Sequence, residues 1–244
     1  MPGIHYIDGE TYGVRAVKAN EHEVDWGNDY WTYIVDYNRA KQAFTSSINE
    51  LAEITPDHSL VIALGSRNNF RYSVYSKYKS NRIKHRKPAG LSNFYLWMRD
   101  YWLCQIYPGV EGDDVIGINA DPQNGDVISS LDKDLKTIPG VHTERGGLID
   151  ISEYEANYRF YTQVLTGDTA DNYPGCPGCG PKRAEVLLKD AATPQEMWNV
   201  VLGAYTKAHL SRSNAIQMAR CARILRPGEY DLDNERPLLW EPPE

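Results

Sequence analysis

The sequence predicts an α/β fold, a twisted central sheet flanked by helices, followed by an all-helical segment. Three observations predict it. Short apolar runs of strand length recur (GIHYID, SLVIAL, DVISS), stretches with apolar residues at helical spacing separate them, and beyond Ser152 the strand-like runs stop. With 244 residues the chain can bury a full core, as one large domain or as a main domain with a smaller appendage.

Taken in order, Gly3 to Asp8 reads as a strand closing on an acid. The stretch Trp26 to Ile54 carries a helix whose later part keeps Ala43, Phe44, Ile48 and Leu51 on one face. Ser59 to Leu64 is a buried strand and Ala89 to Gln105 an aromatic-rich helix. Glu111 to Asn119 is a short helix, Asp126 to Ser130 a strand and Asp132 to Ile138 a helical turn. Asp8, Asp132 and Asp134 thus stand at or near strand ends, where ligands collect in doubly wound sheets. Ser152 with Glu155 three residues on has the spacing of a capping box and opens a helix. Helices follow over Thr193 to Ala208 and Ser213 to Leu225, the last closed by Pro227-Gly228. The remaining residues are too proline-rich and acidic for regular structure. The expected organisation is a core over 1–150 containing a basic segment at 66–95, a helical unit over 151–226 and an extended acidic tail over 227–244.

Charge is unevenly spread. Nine of the 26 basic residues lie between His58 and Arg99 with no acid among them, so 17 basic face 33 acidic side chains elsewhere. In that segment Arg67, Arg71, Lys77, Lys79, Arg82, Lys84, Arg86 and Lys87 alternate with the rings of Phe70, Tyr72, Tyr75 and Tyr78. Cations and flat rings together suit a nucleic-acid strand, through phosphate neutralisation and base stacking. A solvated basic face has the same composition. The net charge of −7 argues against a purely electrostatic nucleic-acid binder and implies that the carboxylates have cations of their own. No apolar run approaches the roughly 20 residues of a membrane span, and the N-terminus lacks a signal-peptide pattern. The expectation is a soluble, cytoplasmic protein with no membrane partner. Four cysteines are too few for a disulfide scaffold and read as reduced thiols.

Glu111, Asp113 and Asp114 lie within four residues, Asp132 and Asp134 follow a strand, and Asp168 and Asp171 are three apart. Each group alone fits a helix cap or a solvated cluster. Jointly, beside a basic aromatic segment, they point to two-metal phosphoryl chemistry. The run GCPGCGPKRAEVLL sets Gly175, Gly178 and Gly180 in a tight turn that opens into a helix with Pro181 at its first position. Bare N–H groups there, with Lys182 and Arg183, form a phosphate cradle. It resembles the helix-hairpin-helix binders of duplex backbone; an ordinary packing corner between helices is the alternative. Cys176 and Cys179 spell CxxC, but a second ligand pair for zinc and a thioredoxin-like context are both missing, so they read as small apolar residues.

In combination these motifs resemble the 5′ nuclease (flap endonuclease) superfamily. The IDG at Asp8, the YKSNR segment, EGDDV, SLDKDLKTIPG and GDTADNYPGCPGCGPKRA follow its order. The likeness is greatest to the 5′-to-3′ exonucleases of short-tailed bacteriophages, which also share the late QMAR to EY stretch. The resemblance implies a PIN-like core, a helical arch over the active site and a helix-hairpin-helix (H3TH) subdomain that grips duplex DNA. Carried over, Asp8, Glu111, Asp113 and Asp114 belong to a first metal site, and Asp132, Asp134, Asp168 and Asp171 to a second. Lys79 and Arg82 polarise the scissile phosphate. Two Mg²⁺ ions, replaceable by Mn²⁺, and a K⁺ ion at the hairpin are implied, with duplex or 5′-flap DNA and RNA–DNA hybrids as substrates. The site of action is the bacterial host's cytoplasm if the chain is phage-encoded. One departure stands out: Ser66 occupies the position after the second core strand where the family has an aspartate. It keeps open a structure-specific DNA-binding protein with weak or no catalysis. A PIN-like ribonuclease shares the acidic core but has no need of the glycine hairpin.

Overall fold

The computed structural model describes residues 3–84 and 86–243. Ile4–Asp8 (β1) has buried residues on both faces, as a central parallel strand must, and Gly9–Ala19 (α1) follows it directly, capped by Asp8. A hairpin of Glu21–Asp25 (β2) and Trp31–Val35 (β3) leads into Tyr37–Ile54 (α2). Then come Ser59–Ala63 (β4), the single turn Arg71–Val74 (α3), a 3₁₀ turn over Ser80–Lys84, Leu91–Tyr101 (α4), Cys104–Gln105 (β5) and Gly112–Asn119 (α5). Val127–Ser129 (β6), Gly140–Glu144 (β7) and Gly147–Ile151 (β8) complete the sheet.

The sheet runs β5-β4-β1-β6-β7-β8, parallel except for β8. The chain therefore starts in the middle, fills one side and then the other. The switch point lies between β1 and β6, and the acidic ends of both open on the same crevice. One face of the sheet packs Phe44, Ile48, Phe94 and Met98 of α2 and α4; the other packs Val115 and Ile116 of α5 with Ile224 and Leu225. His5 on β1 is fully buried between the hydroxyls of Thr55, at 2.7 Å, and Ser129, at 2.6 Å. Burial lowers its pKa to about 4.

Glu153–Thr166 (α6), Pro181–Leu188 (α7), Pro194–Lys207 (α8) and Arg212–Ala222 (α9) pack around Phe160, Trp198 and Tyr205. The Ser152–Glu155 capping box is present, with the Glu155 N–H 3.2 Å from Ser152 Oγ. Among the described residues no helix is long and apolar enough to cross a membrane.

Two expectations need correction. The first part of the Trp26 to Ile54 stretch is strand β3, and its helix begins only after the Asp36 cap, whose carboxylate accepts from Arg39 N. Helix α1 and the β7–β8 hairpin lie in stretches to which the sequence assigns no element. The tail is extended but docked: Tyr230–Asp231 (β9) pairs with Arg236–Pro237 (β10), Tyr230 stacks on Tyr107, and Trp240 is buried against Phe160 and Trp198. Burying an indole and a stacked tyrosine outweighs the solvation of the few acids around them.

Candidate active site

Asp8 closes β1 and is fully buried. Its Oδ1 accepts from Thr11 N at 3.0 Å, and its Oδ2 accepts from the hydroxyls of Thr11, at 2.7 Å, and Ser130, at 2.6 Å. Ser130 Oγ in turn accepts from Asp132 N at 2.9 Å, and Asp132 Oδ1 from Asp134 N at 2.9 Å. A single serine thus joins the acid at the end of β1 to the pair beyond β6. Glu111 caps α5 and Asp113 lies in its first turn. Asp168 and Asp171 sit on a loop pinned at its ends by backbone bonds between Asp168 and Tyr173 of 2.9 and 3.0 Å. The loop closes where Gly167 and Gly175 cross: a Cβ on Gly167 would come within 2.4 Å of the Pro174 carbonyl carbon, so only glycine fits.

The acids are within electrostatic reach of one another. Burial, then Asp8, Glu111 and Asp132, raise Asp113 well above the ordinary carboxylate range. Burial and the charges of Asp8 and Glu111 raise Glu10, and burial with Asp132 raises Asp8. Asp134 is pushed up to about 7 by burial and by Asp132 and Asp168. Such a crowd is stable only with cations, and an all-oxygen donor set suits hard divalent ions. Among the described residues no three His, Cys, Asp or Glu side chains converge into a ready-made ion cage. Protein cations and hydroxyls stand against these carboxylates.

The basic segment supplies them. Lys79 adopts a left-handed backbone, with φ of 52°, and its N–H donates to Asp171 O at 2.8 Å. Its Nζ contacts Glu111 Oε1 and lies 3.6 Å from Asp171 Oδ2. Burial raises the Glu111 carboxyl, but Lys79 and Arg71 outweigh it and hold the group below its usual range. Arg82 pairs with Asp171 Oδ1. Asn172 Nδ2 donates to Lys77 O and Ser80 Oγ, both at 2.8 Å, and Asn81 Nδ2 to Thr169 O at 2.8 Å. These asparagines clamp the basic segment to the Asp168–Asp171 loop. Neither they nor Ser130 were singled out in the sequence, though an asparagine after GDTAD and a serine before an acid at a strand end were the available signals.

Some expected roles change. Arg71 is 2% exposed and bonds both oxygens of Asp114 at 2.7 Å, besides the Cys221 and Arg223 carbonyls. It cannot reach a DNA phosphate. Asp114 also accepts from Glu111 N and Leu225 N, each at 3.0 Å, so its four lone-pair positions are spent and it is no direct metal ligand. Tyr78 is likewise buried, its hydroxyl 2.7 Å from Asp171 Oδ2 and 3.0 Å from Glu111 Oε2, and offers no face to a base. Arg86 is held by Glu21 through two bonds of 2.7 and 2.6 Å and lies over the Tyr33 ring. The Lys84 side chain lies outside the described residues. Ser66 Oγ donates to Asn68 O at 2.6 Å and accepts from Gly109 N at 3.0 Å, a role inside its own loop.

Arg67, Lys77, Lys87, Gly178, Gly180, Lys182 and Arg183 are exposed. Gly180 caps α7, Pro181 opens it, and a Cβ on Gly180 would meet nothing within 4 Å, which leaves this helix start open to solvent. Cys176 and Cys179 are free, buried thiols in the helical core.

No family model matches the chain. Curated relatives do. The chain is 26% identical to the exonuclease of Escherichia phage T7, over 98% of this chain and 94% of that one. It is 27% identical to the exodeoxyribonuclease of Enterobacteria phage T3, over 98% and 93%. A solved complex of the phage T5 D15 flap endonuclease with DNA and metal ions superposes with a TM-score of 0.61 at 15% identity, covering 90% of each chain.

Proposed function

We propose, for a chain that belongs to the 5′ nuclease superfamily close to the phage exonucleases, a divalent-metal-dependent 5′-to-3′ exonuclease acting on duplex and 5′-flap DNA. The carrying observation is the meeting of Lys79 and Arg82 with the acids Glu111 and Asp171 at the crevice between β1 and β6. Asp8, Glu111 and Asp113 would hold one Mg²⁺ and Asp132, Asp134, Asp168 and Asp171 a second, with Mn²⁺ able to replace either. Ions held there supply Lewis acidity at the scissile phosphate.

The chain's own groups do the rest. Lys79 and Arg82 turn from their carboxylate partners to the phosphate oxygens, where charge builds up as water attacks phosphorus in line. The water oxygen joins phosphorus, the bond to the 3′ oxygen breaks, and a proton goes to that oxygen, leaving a 5′-phosphate. The helix start at Gly178–Arg183 grips the duplex backbone through N–H groups and the two cations, in the manner of an H3TH element with K⁺ at the turn. RNA–DNA hybrids, as in primer removal, are within reach of a grip that reads backbone alone. The same chemistry fits action in the cytoplasm of a bacterial host.

The test is cleavage of a 5′-labelled duplex and a 5′-flap substrate in Mg²⁺ by the wild type and Asp113→Asn. The variant should lose at least about 10³-fold in turnover, the upper scale of losing one preorganised electrostatic group, while DNA affinity in Ca²⁺ stays within a few-fold. A wild type that binds duplex but cuts nothing in Mg²⁺ or Mn²⁺ would replace this reading with a DNA-binding protein. A clear preference for RNA alone would favour a ribonuclease.

A further inference from the structure

Glu10 is an acid whose first-turn position in α1 does not explain its placement. It is the second residue of α1. Its carboxylate turns into a slot between Gly65, just past the end of β4, and Gly112, the first residue of α5. A Cβ on either glycine would come within 3.2 Å of Glu10 Oε2. The two glycines also approach each other, since a Cβ on Gly65 would lie 3.0 Å from Gly112 N. The slot therefore exists only because both lack side chains. Inside it Glu10 accepts from the Gly112 N–H and faces the charges of Asp8 and Glu111. The Lys79 ammonium also faces it, yet burial and the like charges outweigh that cation and the single N–H, and the Glu10 carboxyl is raised; a shared divalent cation would offset them.

Beside that slot stands Ser66, immediately after Gly65. A neutral hydroxyl is a poor ligand for a hard cation, and this one is engaged by Asn68 O and Gly109 N within its loop. The end of β4 thus has no carboxylate of its own, while a carboxylate from another element reaches the same place.

We propose that Glu10 is a cation-binding carboxylate of the first acid site, delivered from α1 through the Gly65–Gly112 slot to the end of β4, where Ser66 provides none. The proposal rests on the metal-dependent reading above, and its test separates the two. Mn²⁺ binding to the full chain without DNA is measured by calorimetry and by the loss of the free-ion EPR signal, alongside thermal melting. Glu10→Gln should weaken the tighter Mn²⁺ site by about 10- to 100-fold, the range seen when groups supporting a metal site are removed. Adding Ser66→Asp to Glu10→Gln should recover affinity, because a carboxylate then returns to the end of β4. Gly65→Ala, which crowds the slot without changing any charge, should give a smaller loss of the same kind.

Wild-type protein that binds Mn²⁺ and cuts DNA, with Glu10→Gln equal to it in affinity, overturns the role of Glu10 alone. Wild-type protein that neither binds Mn²⁺ nor cuts overturns the nuclease reading. Should Glu10→Gln fail to fold, unchanged affinity in Gly65→Ala makes Glu10 a purely structural residue and sinks the proposal.

Discussion

The basic segment at residues 77–86 and the glycine turn at 175–183 both present lysine and arginine, yet they hold them in opposite ways. In the first, Lys79, Arg82 and Arg86 are each paired with a carboxylate of the chain itself, Glu111, Asp171 and Glu21 respectively. In the second, Lys182 and Arg183 are exposed and, among the described residues, form no ion pair; Arg183 reaches only the Gly178 carbonyl, at 3.3 Å. Paired cations contribute little long-range field but are held beside the acids, where a single phosphate would take them over. Unpaired ones are poorly fixed but attract a polyanion at a distance. Density of charge in the sequence therefore marks neither task by itself.

The largest effect should come from Arg71, a cation of the basic stretch that is wholly interior. Arg71→Ala leaves Asp114 buried without its partner and should cost about 3–5 kcal/mol in urea unfolding, with most of the loss regained in an Arg71→Met, Asp114→Leu pair. An Arg71→Ala protein that keeps its stability but binds DNA weakly would return Arg71 to the DNA-facing surface.

Next in size is the paired class. Lys79→Ala should lower single-turnover cleavage by roughly 10²-fold, with duplex affinity within about threefold of wild type by fluorescence anisotropy. Parallel losses in both would erase the distinction between positioned and attracting cations. Smallest is the free class: Lys182→Ala with Arg183→Ala should flatten the slope of log affinity against log salt by about 2 and leave cleavage of bound DNA unchanged. A salt slope identical to wild type would show that the turn does not meet phosphate.

What the sequence displayed depended on whether the controlling interaction was local. Helix α6 was legible because Ser152 and Glu155 are three residues apart and bond each other. The glycine turn was legible because Gly180 and Pro181 act at their own positions. Helix α1 was not, since Gly9 and Gly13 weaken its helical pattern; their reason lies elsewhere, a Cβ on Gly9 coming within 2.4 Å of the Ile62 side chain on β4. The β2–β3 hairpin gave no alternation because it is largely exposed on both sides, with Trp26, Tyr30, Trp31 and Ile34 facing solvent. At the site, the acid clusters could be read from spacing. The partition of roles inside them could not, because Arg71 and Asp114 are 43 residues apart and Glu10 meets Gly65 and Gly112 across three elements.

The segment that follows α9 has a mechanical meaning. The Cys221 carbonyl in the last turn of α9 and the Arg223 carbonyl just beyond it take up Arg71, the Leu225 N–H takes up Asp114, and Gly117 lets the segment lie against α5, a Cβ there falling 2.1 Å from Leu225 O. Asp114 belongs to the same helical turn as Asp113. The helical unit is in this way tied through Arg71 and Asp114 to the turn that carries Asp113. If the turn before α7 holds a duplex as proposed, its spacing from the acids of α5 is then set by the fold and not by the substrate.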